Sequence, residues 1–150
     1  MSATVKFPLT NQELFDLAQG EVVRFPATPE EYWELVVAAE YRADYFDHEI
    51  IATMSYETEG HSTVATRLSH LLQNIFWNNP NFKVHNSNRP VCIPDCEHAI
   101  FNPDGSVVAQ PAKLYEYRPG MNAELTPILL FEVLSKNTRS YDFGDKLPCY

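Results

Sequence analysis

Basic residues are scarce in this chain. Its 11 Lys and Arg face 20 Asp and Glu, leaving a formal charge of −9 at pH 7. A protein that grips duplex phosphates over a broad surface carries the opposite excess, so tight nonspecific duplex binding is not expected. Local exceptions survive this argument, because an acidic chain can hold one basic face and a metal pocket needs acids. Glycine is sparse as well. The five glycines stand singly, with no phosphate-cradling glycine loop and no nucleophile elbow. Three cysteines, Cys92, Cys96 and Cys149, are an odd count that argues against a disulfide framework. The Cys92/Cys96 spacing suits a metal, yet no second Cys/His pair stands at zinc-site spacing. No apolar run approaches the roughly 18 residues of a membrane span. The first residues lack a signal-peptide apolar region, so a cytoplasmic protein with no membrane partner is expected.

What is present fits one globular domain over 1–150, with 45% hydrophobic and 21% charged residues. Thr10 with Glu13, and Thr28 with Pro29 and Glu31, read as capping boxes opening two helices. Gly20 is expected to stop the first, and the second is expected to bury Tyr32, Leu35, Val36 and Ala39. Tyr45 to Met54 reads as a hairpin turning at Asp47-His48, without the glycine such a turn prefers. Val64, Leu68, Leu71, Leu72, Ile75 and Phe76 recur at helical spacing and predict a long amphipathic helix over 61–77. Extended segments follow at 82–85, 89–93, 98–101 and 106–109, then a connection over 113–126, a strand over 127–135 and a helix from about Ser140. Helices first, strands in the middle and a helix after the last strand give an α/β (α+β) fold with a mixed sheet. The chain stops at Tyr150, just after Pro148, which suggests a C-terminal truncation.

Glu132 is the informative residue. It interrupts Pro127-Ile128-Leu129-Leu130-Phe131-Glu132-Val133-Leu134, a run that reads as a strand buried on both faces. A carboxylate there costs several kcal/mol unless a cation or hydrogen bonds compensate it. Asp104, 28 residues upstream, could share a hard cation with it from a neighbouring strand. Lys146 follows downstream, and two acids with a lysine are the parts of a magnesium-dependent phosphodiesterase site. Each part has a plainer reading. Asn102-Pro103-Asp104-Gly105 is a turn signature by itself, an edge strand could expose Glu132, Lys146 alone is a solvated helix residue, and His61 alone opens a helix.

The segment from Glu132 to Leu147, Glu-Val-Leu-Ser-Lys-Asn-Thr-Arg-Ser-Tyr-Asp-Phe-Gly-Asp-Lys-Leu, resembles the "EVLSPSTRDYDRGEKL" signature of the Uma-two family of restriction-endonuclease-like nucleases. These are related to the PD-(D/E)xK phosphodiesterases. Tyr41 to Ile50 resembles the family's first hairpin, Thr28 to Tyr32 its opening helix, His61 its histidine, and Pro103-Asp104 its "PD". The resemblance spans roughly residues 28 to 150. It implies a restriction-endonuclease-like core, DNA as substrate and Mg2+ (or Mn2+) as cofactor. It also implies Asp104 and Glu132 as metal-binding acids, Lys146 as the catalytic lysine supplied from the following helix, and Asp44 as a further acid. Asp44 stands where the family has Glu, and Lys136-Asn137 where it has Pro-Ser. The alternative readings are a catalytically silent remnant or homodimer-forming interaction domain of the same fold, and a small-molecule binder or hydrolase with Glu132 as general base and His61 nearby.

Overall fold

A computed structural model of the chain describes residues 7–19, 22–53 and 58–150. Both capping boxes form. Thr10 and Thr28 accept from the backbone N–H of Glu13 and Glu31, whose side chains reach back, and they open α1 (Asn11–Ala18) and α2 (Pro29–Ala38). Tyr32 and Leu35 are buried as expected, and Trp33 joins them. Gly20 and Met54 lie outside the described residues. After β1 (Val23–Pro26), the strands β2 (Ala43–Phe46) and β3 (Glu49–Ala52) make the hairpin. Asp47 and His48 take left-handed φ values of 50° and 60°, so they supply the primed turn without glycine.

The long helix α3 (Glu59–Phe76) is capped by Thr58. Its apolar stripe is wider than the face it covers: Val64, Leu71 and Ile75 remain exposed, while Phe76 packs its ring on Phe82 at 5.2 Å. Then come β4 (Phe82–Asn86), β5 (Val91–Ile93), β6 (Ala99–Phe101) and β7 (Gly105–Ala109). The expected connection over 113–126 is instead a hairpin, β8 (Leu114–Arg118) and β9 (Met121–Glu124). Its signal was the alternation of Leu114, Glu116 and Arg118, all exposed, with the half-buried Tyr115 and Tyr117, ahead of Gly120 at φ 82°.

Among the described residues, two hydrogen-bonded sheets form, in the orders β1-β3-β2-β6-β5-β9-β8 and β10-β7-β4. The first is mixed, because β5 and β9 run parallel among antiparallel neighbours. The last strand, β10 (Pro127–Phe131), corrects the sequence expectation. It lies at the edge of the smaller sheet, Ile128 and Leu129 are exposed, and it ends at Phe131. Glu132 is therefore just beyond the strand, not wedged in a doubly covered one. The misreading is physical: an apolar run has the same composition whether its second face meets protein or solvent.

Residues 139–149 form one continuous helical segment: α4 (Arg139–Tyr141), a π-helical stretch (Asp142–Lys146) and α5 (Leu147–Cys149). Cys149 is disulfide-bonded to Cys96 across 53 residues, although the odd cysteine count argued against a disulfide framework. An odd count leaves one cysteine over without preventing one pair, and Cys92 is that buried remainder. The Cys92/Cys96 metal reading falls with it.

At Gly105 the paired strands leave no room for a side chain, since a Cβ added there would overlap the Phe131 ring. Gly105→Ala should lower stability by about 1–3 kcal/mol, read as a fall in Tm. Adding Phe131→Leu should recover part of it. Gly60→Ala, on a helix position with nothing near its Cβ, should instead gain about 1 kcal/mol. Equal melting of the parent and Gly105→Ala would contradict this packing.

Candidate active site

Antiparallel pairing sets Phe131 opposite Gly105. The residues one step beyond the paired ends, Asp104 and Glu132, therefore leave the sheet together and line one cavity of about 100 Å³. The backbone N–H of Val133 donates to Asp104 Oδ2 at 2.6 Å, which fixes one acid to the strand end of the other. His61, from the first turn of α3, brings Nε2 to 3.4 Å of the same oxygen. Sequence reasoning set His61 down chiefly as a helix opener, over a ligand, besides its family position and a place near Glu132 in a hydrolase site; it lines the cavity.

Lys146 reaches the site from the π-helical stretch. Its Nζ donates to Glu132 Oε1 at 2.9 Å and stands 3.5 Å from Asp44 and 3.6 Å from Asp142. Burial pulls the ammonium pKa down, but the carboxylates of Asp44 and Glu132 outweigh that and raise it, so Lys146 stays charged. The residue is 6% exposed, and its neighbours Asp44 and Asp142 are 6% and 7% exposed. The plain reading of Lys146 as a solvated helix residue is thereby overturned.

Asp44, on β2, is fully engaged. Its Oδ1 accepts from the backbone and side-chain N–H groups of Asn102 at 2.7 and 2.9 Å, and its Oδ2 accepts from the Tyr141 hydroxyl at 2.6 Å. Asp44 thus ties β2, the end of β6 and the last helical segment to one another. Sequence reasoning missed Asp142, Tyr141 and Tyr150. The spacing of Asp142 four residues before Lys146, and of Thr138 four before Asp142, was the available signal. Both contacts form, at 3.6 and 2.9 Å.

The Tyr150 hydroxyl donates to Glu132 Oε1 at 2.7 Å, so that oxygen carries two donors. Among the described residues, Glu132 Oε2 and Asp104 Oδ1 have no hydrogen-bond partner. Desolvation pushes the Glu132 carboxyl up to about 7 from an ordinary 4.5. Lys146 and Tyr150 pull it back only in part, and the charge on Asp104 adds to the rise. Asp142 is also raised, mainly by burial.

These features test the fit of a divalent cation. Four carboxylates, Asp44, Asp104, Glu132 and Asp142, face two cations, Lys146 and Arg42, in or beside the cavity. The donors are hard oxygens, and two of them are unengaged. Among the described residues no three His, Cys, Asp or Glu converge as a closed metal cage. Magnesium does not need one, since it keeps several waters and binds through one or two carboxylates plus substrate phosphate. The residues fit.

A mixed α+β fold that gathers two acids and a lysine at the ends of paired strands is restriction-endonuclease-like. The chain belongs to the Uma2 family, described as "Putative restriction endonuclease", whose model matches residues 29–150. An uncharacterized protein of Synechocystis sp. is 30% identical over 135 residues, covering 89% of this chain and 67% of its own length. No solved structure matches the chain.

The Glu132 carboxyl gives a pH prediction for the metal-free protein. Between about 4.5 and about 7 the unfolded chain has released this proton while the folded chain retains it. Stability from this group is therefore present at low pH and is lost as pH rises to the folded value. The loss is on the order of 3 kcal/mol at pH 8. In chelator-containing buffer the parent should lose more stability between pH 5 and pH 8 than Glu132→Gln does, by that amount. Identical pH profiles in denaturant melts of the two proteins would contradict the assignment.

Proposed function

We propose that this chain is a divalent-metal-dependent endonuclease that hydrolyses phosphodiester bonds in DNA, with Mg2+ or Mn2+ as the cation. The observation that carries the reading is the placement of Asp104 and Glu132 on one small cavity with Lys146 fixed against Glu132. Asp104 and Glu132 are the residues that would hold the cation, each keeping one carboxylate oxygen that no described residue engages. When bound, such a cation polarises a phosphoryl oxygen and lowers the pKa of a coordinated water.

The chain's own residues do the rest. Lys146 orients Glu132 and offers positive charge to the pentacoordinate transition state. Asp44 acts on Lys146, not on substrate: with Asn102 and Tyr141 it locks the helical segment from which the ammonium projects. Tyr150 holds the second position on Glu132 Oε1, leaving the other oxygen turned to its task. A cavity of about 100 Å³ suits a phosphate group and little more.

Purified protein with Mg2+ or Mn2+ should nick and cut plasmid and single-stranded circular DNA, and chelator should stop it. Asp104→Asn and Glu132→Gln should each lower the rate by about a hundred-fold. Lys113→Ala, remote and exposed, should leave it unchanged. Uncut DNA under all metal conditions, or a Glu132→Gln variant as active as the parent, would overturn the reading and leave a catalytically silent domain of the same fold.

A further inference from the structure

Arg42 stands at the acidic cavity with most of its donors unspent. It directly precedes β2, and strand alternation turns it to the side of Asp44, while Tyr41, Ala43 and Tyr45 enter the core. Its chain neighbours Tyr41 and Ala43 are buried, so the root of the side chain is fixed. The tip is anchored too, because Nη1 donates to the Ser87 carbonyl. Among the described residues that is the one hydrogen bond the Arg42 side chain makes, and no carboxylate forms an ion pair with it. A guanidinium carries five N–H donors in a rigid fork, so several remain to be used. Lys146 is the opposite case, shared among Asp44, Glu132 and Asp142. Two spaces meet at Arg42: the cavity of about 100 Å³ and a narrower one of about 40 Å³. Both are lined by Arg42, Thr53, Asn102 and Lys146, whereas Asp104 and Glu132 line only the larger. The acid pair therefore stands toward one end of this region, and Arg42 and Lys146 continue into the other.

We propose that Arg42 is the phosphate-binding residue of the site: its guanidinium takes the non-bridging oxygens of the phosphodiester that lies against Asp104 and Glu132. The inference deepens the nuclease reading and rests on it. The planar fork of a guanidinium matches two oxygens of one phosphate, so it fixes orientation as well as supplying charge. Charge balance points to the same residue. With all four acids ionised, the cluster has two more negative than positive charges, which a divalent cation cancels. An incoming phosphodiester then adds one negative charge, and more of it gathers on the oxygens in the transition state. The Lys146 ammonium is already divided among three carboxylates, so the guanidinium that no described carboxylate engages is the group free to meet that charge. Arg42 needs no rearrangement to do so, since Ser87 holds it at the cavity beforehand.

The test titrates two probes into the intact chain in Ca2+ by NMR: the dinucleotide thymidylyl-thymidine and its uncharged methylphosphonate analogue. The parent should bind the phosphodiester about ten-fold more tightly than the analogue. Arg42→Ala should lower the phosphodiester affinity about ten-fold and leave that of the analogue unchanged, with Ca2+ affinity as in the parent. Arg42→Lys keeps the charge without the fork and should recover less than half of the loss. In Mn2+, Arg42→Ala should slow DNA cleavage about a hundred-fold, in kcat more than in KM. An unchanged phosphodiester affinity in Arg42→Ala would overturn the inference. So would an equal loss of both probes, or of Ca2+ with them, because Arg42 would then serve only to hold β2 in place. The two readings separate cleanly. Cleavage untouched by Arg42→Ala removes this phosphate site and leaves the nuclease. Charge-dependent binding that Arg42→Ala abolishes, without cleavage under any metal, does the reverse.

Discussion

Lys146 sits within 3.6 Å of three carboxylates, and most of the functional geometry follows from that crowding. A single ammonium group among Asp44, Glu132 and Asp142 is over-neutralised, and Asp104 across the cavity adds a fourth negative charge. Coulomb interactions between partly buried groups are several times stronger than in water. The excess cannot dissipate through distance or screening. Burial does most to hold the proton on the Glu132 carboxyl up to about pH 7; the Asp104 charge adds to this, and Lys146 and Tyr150 only partly oppose it. In the proposed function, a bound cation would take the place of that proton and leave the acids ionised.

The fold serves this cluster by bringing four separate chain segments to it. Antiparallel pairing of β7 and β10, tight enough that Gly105 must lack a side chain against Phe131, delivers Asp104 and Glu132 side by side. The hairpin strand β2 delivers Asp44 from the larger sheet. The last helical segment delivers Lys146 and Tyr141, with Tyr150 at its end, and is held down by the Asp44–Tyr141 hydrogen bond and by the Cys96–Cys149 disulfide. The π-helical stretch over Asp142–Lys146 aligns Lys146 and Asp142 on the side facing the acids. Pairing, hairpin and helix must all form before any one of these contacts is worth having.

Much of this was legible in the chain, and the failures have identifiable causes. Helix starts were readable because Thr10 and Thr28 each pair with a glutamate three residues on, a local signal independent of tertiary context. The hairpin at Asp47-His48 was readable for the same reason. Strand burial was not, because Ile128 and Leu129 read as interior residues whether their second face is covered or open. The β8–β9 hairpin was lost behind Pro119-Gly120, which suggested a loop when its alternation already marked two strands. The pair Cys96 and Cys149 was invisible from spacing, since only the fold closes a gap of 53 residues. At the site, Glu132 announced itself as an acid in odd company, while Asp104 drew notice only as its partner, since alone it reads as part of a turn. Asp142, Tyr141 and Tyr150 did not, because ordinary polar and aromatic residues near a chain helix acquire meaning only when the helix docks.

The most direct measurement is calorimetric titration of Mn2+ into the metal-free protein at several pH values. Asp104 and Glu132 holding one hard cation predicts a single site per chain, affinity rising from pH 6 to pH 8 as Glu132 gives up its proton, and loss of that site in both Asp104→Asn and Glu132→Gln. Absence of binding, or binding indifferent to both substitutions, would contradict the account.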